Sequence, residues 1–455
     1  MRLARLVSTL VLTALAASPL VAQAPAGNGT GNGKLAIVGG YLIDGNEGPP
    51  LQNAVVLVEG DRIVHVGTVA DTPIPGDAKV IDANGYTVMP GLHDAHVHVM
   101  IVGHGVYDDY FPKYDKRFRE VMPVSAKHLL MAGVTSARDL GAPLEDIIWL
   151  KKEIESGRLV GPRLFVSGPF LQKSLPRGSG TSYDSGTQAS FRWTVNGAGD
   201  ARAKTRQLID AGVDLIKVIQ IGDLTPDERR AIADEARKSR RHIAVHAGNT
   251  EEVRIAAEMG ARTIEHVGGG RYPLYPEEQV QLMVENGIFA SPTSVVGRIY
   301  DITTQSPERL DNQMLKADLP ADFYEDMRNS LNFFSRLNYF AGAKDGNRNH
   351  AGKIKQLYDA GVRILVGTDS GTPMNFHHES TWHEMELFTE YGIHPMKVIS
   401  MATRLPALAY GMGRELGTIE PGKLADIIVV DGNPLVTMSA LRNVVHVVKG
   451  GVQYK

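Results

Sequence analysis

A (β/α)₈ barrel of the TIM type, joined to a small composite β-sandwich domain built from both chain ends, is the architecture this sequence predicts. Three observations lead there. Strands and helices alternate from Gly91 onward, glycines close helix after helix, and a pattern of short alternating strands is confined to the two ends of the chain. At 455 residues the chain is too long for one ordinary core, so a large domain and a smaller one are expected.

The first 24 residues read as a secretory signal peptide. Arg2 and Arg5 precede the apolar run Leu6 to Leu15, and small residues follow up to Ala24, with cleavage expected after Ala22 or Ala24. The apolar run is short for a bilayer span, so no stable membrane anchor is expected after its removal. Residues 25–33 (PAGNGTGNG) form a flexible linker with nothing to bury, and Asn28 within it matches a glycosylation sequon by chance. Residues 34–90 carry short strands broken by Gly and Pro, and residues 413–455 return to the same pattern, so the two stretches are expected to share one sheet. Between them, residues 91–412 supply eight candidate strands: HDAHVHV, VTSARDLG, PRLFVSG, VDLIKVI, HIAVHAG, ARTIEHVG, IFASPTS and VRILVGTDS. Gly133, Gly212, Gly260, Gly287, Gly361 and Gly392 each end a helical pattern just before the next strand. No glycine-rich dinucleotide fingerprint follows any strand, which favours a closed barrel over an open doubly wound sheet. Residues 170–199 and 294–349 read as long loops of the kind that serve as lids or substrate-binding segments.

A net charge of −3 and the absence of a basic run exclude a nucleic-acid partner, and the lack of cysteine excludes a disulfide framework. A small molecule or dipeptide is the expected partner, in a periplasmic or secreted protein that is compatible with a homo-oligomer.

The chemistry gathers at strand ends. His96 and His98 stand two apart on one strand, so both imidazoles face the barrel mouth, and nearby neutral imidazoles suit Zn²⁺ or a similar ion. His246, His266 and Asp369 each end a candidate strand on the rim where barrel active sites collect. Four imidazoles and a carboxylate on one rim call for a cation, because buried polar groups need partners. Lys217, amid the apolar VDLIKVI, must be either paired, for instance with Asp369, or chemically modified.

PGLHDAHVH, the lysine of DLIKV, VHAG, IEH, GTDSG and the terminal PGKLADIIVVDGNP resemble the amidohydrolase superfamily, and TSARDLG is similar to its imidazolonepropionase-like branch. That branch includes Xaa-Pro dipeptidases, metallocarboxypeptidases and amidases of the ochratoxin-cleaving kind. The resemblance implies two divalent metal ions, zinc by expectation, bridged by a carbamylated Lys217. His96, His98 and Asp369 would bind one ion, and His246 and His266 the other. It further implies hydrolysis of an amide in dipeptides or N-acyl-amino acids by a hydroxide held between the ions, with Asp369 as catalytic general acid and base. The Gly-Gly-His segment common after the third strand in dipeptidase members is replaced here by GPFLQKSLPRG, and Lys217 argues against imidazolonepropionase activity. A lactonase, cyclic-amide hydrolase or deaminase would use the same site. A non-catalytic binding protein would be expected to have lost ligands that this chain retains.

Four further residues are candidates for touching substrate. His104 follows the first strand, Arg138 lies in the second, and His377 and His378 follow Asp369 in a rim loop. Arg138, beside Asp139, reads more readily as one half of a structural ion pair. His128 and His383 fall on helices and read as structural, as do Phe323, Tyr324, Phe333 and Phe334.

Overall fold

The computed structural model describes residues 33–175, 189–268, 273–337 and 349–455. The expected signal peptide, all of the linker but Gly33, and parts of both long connecting stretches lie outside them.

Eight strands form the barrel: Leu92–Val97, Val134–Asp139, Arg163–Val166, Leu215–Val218, His242–His246, Thr263–Glu265, Phe289–Ser291 and Arg363–Ile364. The first three pair in parallel, as do the fourth to the eighth. Backbone bonds span both seams. Between the third and fourth strands, Asp214 N–H donates to the Val166 carbonyl at 2.8 Å. Between the eighth and the first, Ala95 N–H donates to Val366, Asp369 N–H to His96 and His98 N–H to Ser370, at 2.9, 2.7 and 2.9 Å. The eighth strand therefore continues past Ile364 as a tight extended segment against the first. A side chain at Gly367 would lie 2.3 Å from Ser291 Oγ and 3.1 Å from His96 Cβ, so only glycine lets the backbones approach under the first histidine.

The strands are short and buried on both faces, which is why they read as apolar runs rather than as alternating ones. The helices between them bury one stripe each. Pro226–Lys238 turns Ala231, Ile232 and Ala236 to the barrel and opens with a reciprocal cap between Thr225 and Glu228. All six glycines expected to end helices adopt a positive φ, Gly133 at 91° among them.

The two chain ends meet in one eight-stranded sheet. Thr87–Pro90 lies antiparallel to Ile427–Val430, and that pairing joins the N-terminal part to the C-terminal part. Alternation along Ile427–Val430 divides its side chains: Ile427 and Val429 enter the sheet's own core with Ile37, Val56 and Val88, while Ile428 and Val430 enter the barrel's core.

The stretch after the seventh strand differs from the loop expected of it. Up to Arg336 it is largely helical, with Ser294–Gln305, Gln313–Asp318 and Ala321–Ser330 in succession. Phe323 is buried there against the Tyr114 ring, whereas Phe333 is exposed. The stretch after the third strand holds two short parallel strands, Phe170–Gln172 and Arg192–Thr194, which extend the barrel sheet. Among the described residues no helix is long and apolar enough to cross a membrane.

Candidate metal centre

The C-terminal ends of the barrel strands open into a cavity of about 280 Å³, and the six residues expected at a metal centre all line it: His96, His98, Lys217, His246, His266 and Asp369. Each arrives from a different strand except the first two, which share one. His98 Nε2 lies 3.1 Å and His96 Nε2 3.4 Å from Asp369 Oδ1. The ring centres of His96 and His266 are 4.7 Å apart and those of His246 and His266 4.4 Å. One ligand atom from each of His96, His98 and Asp369 lies within 4.8 Å of the others, close enough for a single cation to meet all three.

Lys217 sits among them, 2% exposed, and its Nζ has no hydrogen-bond partner among the described residues. The salt bridge to Asp369 that would have made it an ordinary buried cation is not formed. Burial outweighs the pull of Glu265 and lowers its pKa to about 8. Burial likewise lowers His96 to about 4, which keeps its imidazole neutral, the form that binds a cation. These donors fit a divalent ion at His96, His98 and Asp369. His246 and His266 line the same cavity, and Lys217, while it is an ammonium, offers only donors there.

The rings are oriented from behind. His96 Nδ1 is 3.0 Å from Glu265 Oε2, and Glu265 in turn accepts a 2.6 Å bond from Arg138. Arg138 also donates to the Ala95 carbonyl and to Thr263 Oγ1. Burial pushes the Glu265 carboxyl up, but the Arg138 guanidinium and His96 hold it well below the usual carboxylate range. His98 Nδ1 donates to the Gly141 carbonyl at 3.2 Å, on a turn held by Asp139, which accepts from the Gly141 and Val99 amides. His266 Nδ1 is 2.9 Å from Thr293 Oγ1. Asp94 accepts from Thr368 and Thr381, tying the first strand to the eighth.

The cavity wall does not include the four residues expected at the substrate. Arg138 is 3% exposed and lies beneath the rings, fully engaged with Glu265 and the barrel backbone. His104 is buried, accepts from Val106 N–H and faces Asp326 at 3.4 Å. His377 bonds to the His98 carbonyl, and His378 to Asn312. Sequence position brought these side chains near the rim, but their bonds turn them away from its opening. His128 pairs with Asp318, and His383 lies tilted against the Trp382 ring, both as helix-borne structural residues.

Glu265 and Thr293 are the orienting residues that sequence reasoning missed. An acid in the buried three-residue strand TIE is the same kind of oddity as Lys217 and would have been found by the same test. The wall itself is largely aromatic, from Tyr107, Phe111, Phe170 and Phe191, and among the described residues it carries Arg192, whose guanidinium lies over Phe170 and Phe191 at 5.1 and 5.4 Å. Phe191 and Arg192 fall in the stretch read as a loop.

Known proteins of this shape match most of the chain. An ochratoxinase from Aspergillus niger is 27% identical over 94% of this chain and 88% of that protein. A crystal structure of a Xaa-Pro dipeptidase with methionine bound in its active site superposes with a TM-score of 0.73 at 27% identity, covering 93% of this chain and all of that one. Molinate hydrolase shares the fold with a TM-score of 0.75 at 24% identity, over 93% and 94% of the two chains. Residues 87–453 match the Amidohydrolase family as one span that takes in the whole barrel and the C-terminal strands, and the chain is a member of that family, hydrolases acting on carbon–nitrogen bonds.

Proposed function

We propose that this protein, acting after export to the periplasm or beyond, hydrolyses the amide of a dipeptide or N-acyl-amino acid, ochratoxin-like amides included. The observation that carries the reading is Lys217: a buried amine that has no hydrogen-bond partner among the described residues and lines one cavity with four imidazoles and a carboxylate. A lysine in that setting makes sense as a carbamate, whose oxygens serve as ligands where an ammonium cannot.

His96, His98 and Asp369 would hold one divalent cation, zinc by expectation, and His246 and His266 the other, with carbamylated Lys217 shared. Such ions lower the pKa of water towards neutrality and polarise a carbonyl. The protein's own groups do the rest. Asp369 is the carboxylate that meets the Nε2 atoms of both first-strand imidazoles in the cavity, and it takes the proton of the attacking water and passes it to the leaving amine. Glu265 and Thr293 hold the rings of His96 and His266 so that their free nitrogens face the cavity. The aromatic wall limits water and receives an apolar acyl or side-chain group, and Arg192 answers the carboxylate of the amino-acid half. The ochratoxinase and dipeptidase relatives support a substrate of this type.

The test is a screen of the metal-loaded protein against dipeptides, N-acyl-amino acids and ochratoxin-like amides, with lactones as controls. Amide turnover that disappears in Lys217→Ala is the expected result. Full activity in that variant, or turnover confined to lactones, would overturn the proposal.

A further inference from the structure

The helix Ser294–Gln305 begins in an unusual way. Its N-cap residue is Thr293, a type that ordinarily turns its hydroxyl back onto the first free amides of the helix. Here it makes no such bond and stands in the left-handed region, at φ 53° and ψ 46°. A β-branched residue there is strained and persists only where its surroundings over-determine it. The hydroxyl is spent instead on His266 Nδ1, 2.9 Å away.

The cap is supplied from another helix. Glu384, on Ser380–Glu390 and 0% exposed, accepts from Ser294 N–H at 2.8 Å with one oxygen and from Val295 N–H at 2.6 Å with the other. The same histidine is held from its other side. His266 and Val267 also have positive φ, and the Val267 carbonyl accepts from Lys353 Nζ and from the Tyr275 hydroxyl at 3.2 and 3.0 Å.

We propose that Glu384 is a positioning residue that acts through Thr293. By capping the helix in place of Thr293, it releases the threonine hydroxyl to accept from His266 Nδ1–H and so leaves the Nε2 lone pair facing the cavity. The role in catalysis rests on the metal-centre reading above, whereas the effect on the His266 tautomer does not.

Two measurements separate them. In metal-free protein with ¹⁵N-labelled histidine, nuclear magnetic resonance reads the His266 tautomer. Glu384→Gln keeps the shape but presents an amide donor to one of the two helix amides, and Thr293→Val removes the hydroxyl. Both variants are expected to shift His266 from the Nδ1-protonated form to a mixture. Each should also lose kcat or cobalt affinity by roughly 10-fold or more, with a changed cobalt visible spectrum and KM little altered. Thr293→Ser, which keeps the hydroxyl, recovers most of that loss. Should Glu384→Gln fail to fold, Glu384→Asp, which keeps the charge but draws the carboxyl back from the two helix amides, replaces it in both measurements, and an unaltered tautomer and kcat there overturns the proposal equally. An unaltered tautomer and unaltered kcat in folded Glu384→Gln or Thr293→Val would overturn the proposal. A wild-type protein that takes up no cobalt, yet whose tautomer follows Thr293, would retain the positioning role and remove the metal centre.

Discussion

Behind His96, the carboxylate of Glu265 holds an imidazole and a guanidinium at once, both buried. Replacing it with glutamine keeps the volume and removes the charge, leaving Arg138 unanswered in the barrel interior. A loss on the order of 3 kcal/mol in stability is expected by denaturant unfolding, because an uncompensated buried charge is costly. The kcat/KM should fall by roughly 10–100-fold as His96 loses its orientation. Unchanged unfolding midpoints in Glu265→Gln would show that the ion pair adds nothing. At this scale the sequence was half legible. Histidines ending apolar strands announce themselves by residue type and position, and all six of the rim residues share one cavity. The direction of a side chain is not written in its position along the chain. His104, His377 and His378 were therefore expected at the substrate although backbone and carboxylate partners turn them inward. Arg138 was recognised as a possible structural ion pair, but its partner is Glu265, far away in the chain.

Helix ends govern how the barrel presents these residues. The helix Pro226–Lys238 starts at a reciprocal cap, and Glu228 also receives Lys173 Nζ at 2.6 Å and Gly197 N–H at 2.7 Å. It thus ties the stretch that follows the third strand to the helix after the fourth. Burial raises the Glu228 carboxyl, but Lys173 and the amides of Thr225 and Gly197 prevail and lower it from 4.5 to about 2. A carboxylate with a depressed folded pKa contributes stability that is fully present above its unfolded value and is lost as pH falls through the folded one. The melting-temperature gap between wild type and Glu228→Gln should accordingly be widest above pH 5 and close as pH drops from 4.5 towards 2. A gap independent of pH would rule out this ionic contribution. The helix carries a start signal of its own in Thr-Pro-Asp-Glu. The helices between 294 and 336 were not legible, since Pro307 and Pro320 divide the stretch into short pieces that take their place by packing, as Phe323 does against Tyr114 of the helix Tyr107–Tyr114.

At the scale of the whole molecule the barrel is a ring, and a ring must be fastened. Its first and last strands meet where chain connectivity gives no help, and what joins them is backbone bonding together with Asp94, Thr368 and Thr381. The sequence predicted the ring and the sheet shared by the two termini because both follow from periodicity, but it did not show how the seam is sealed. His96, His98 and Asp369 stand on opposite sides of that seam, two on the first strand's end and one after the eighth. A cation bound by all three therefore works as a clasp. Its binding energy is delivered to that junction, and saturation at 100 times the dissociation constant adds about 2.7 kcal/mol to folding. Chelation should lower the melting temperature and loosen hydrogen exchange in the first and eighth strands before the others. Uniform exchange with and without the ion would separate the site from the seam. The clasp couples two histories: a substitution that spoils catalysis by shedding the ion also leaves the ring easier to open, so a lost activity here would tend to surface as a shorter-lived protein.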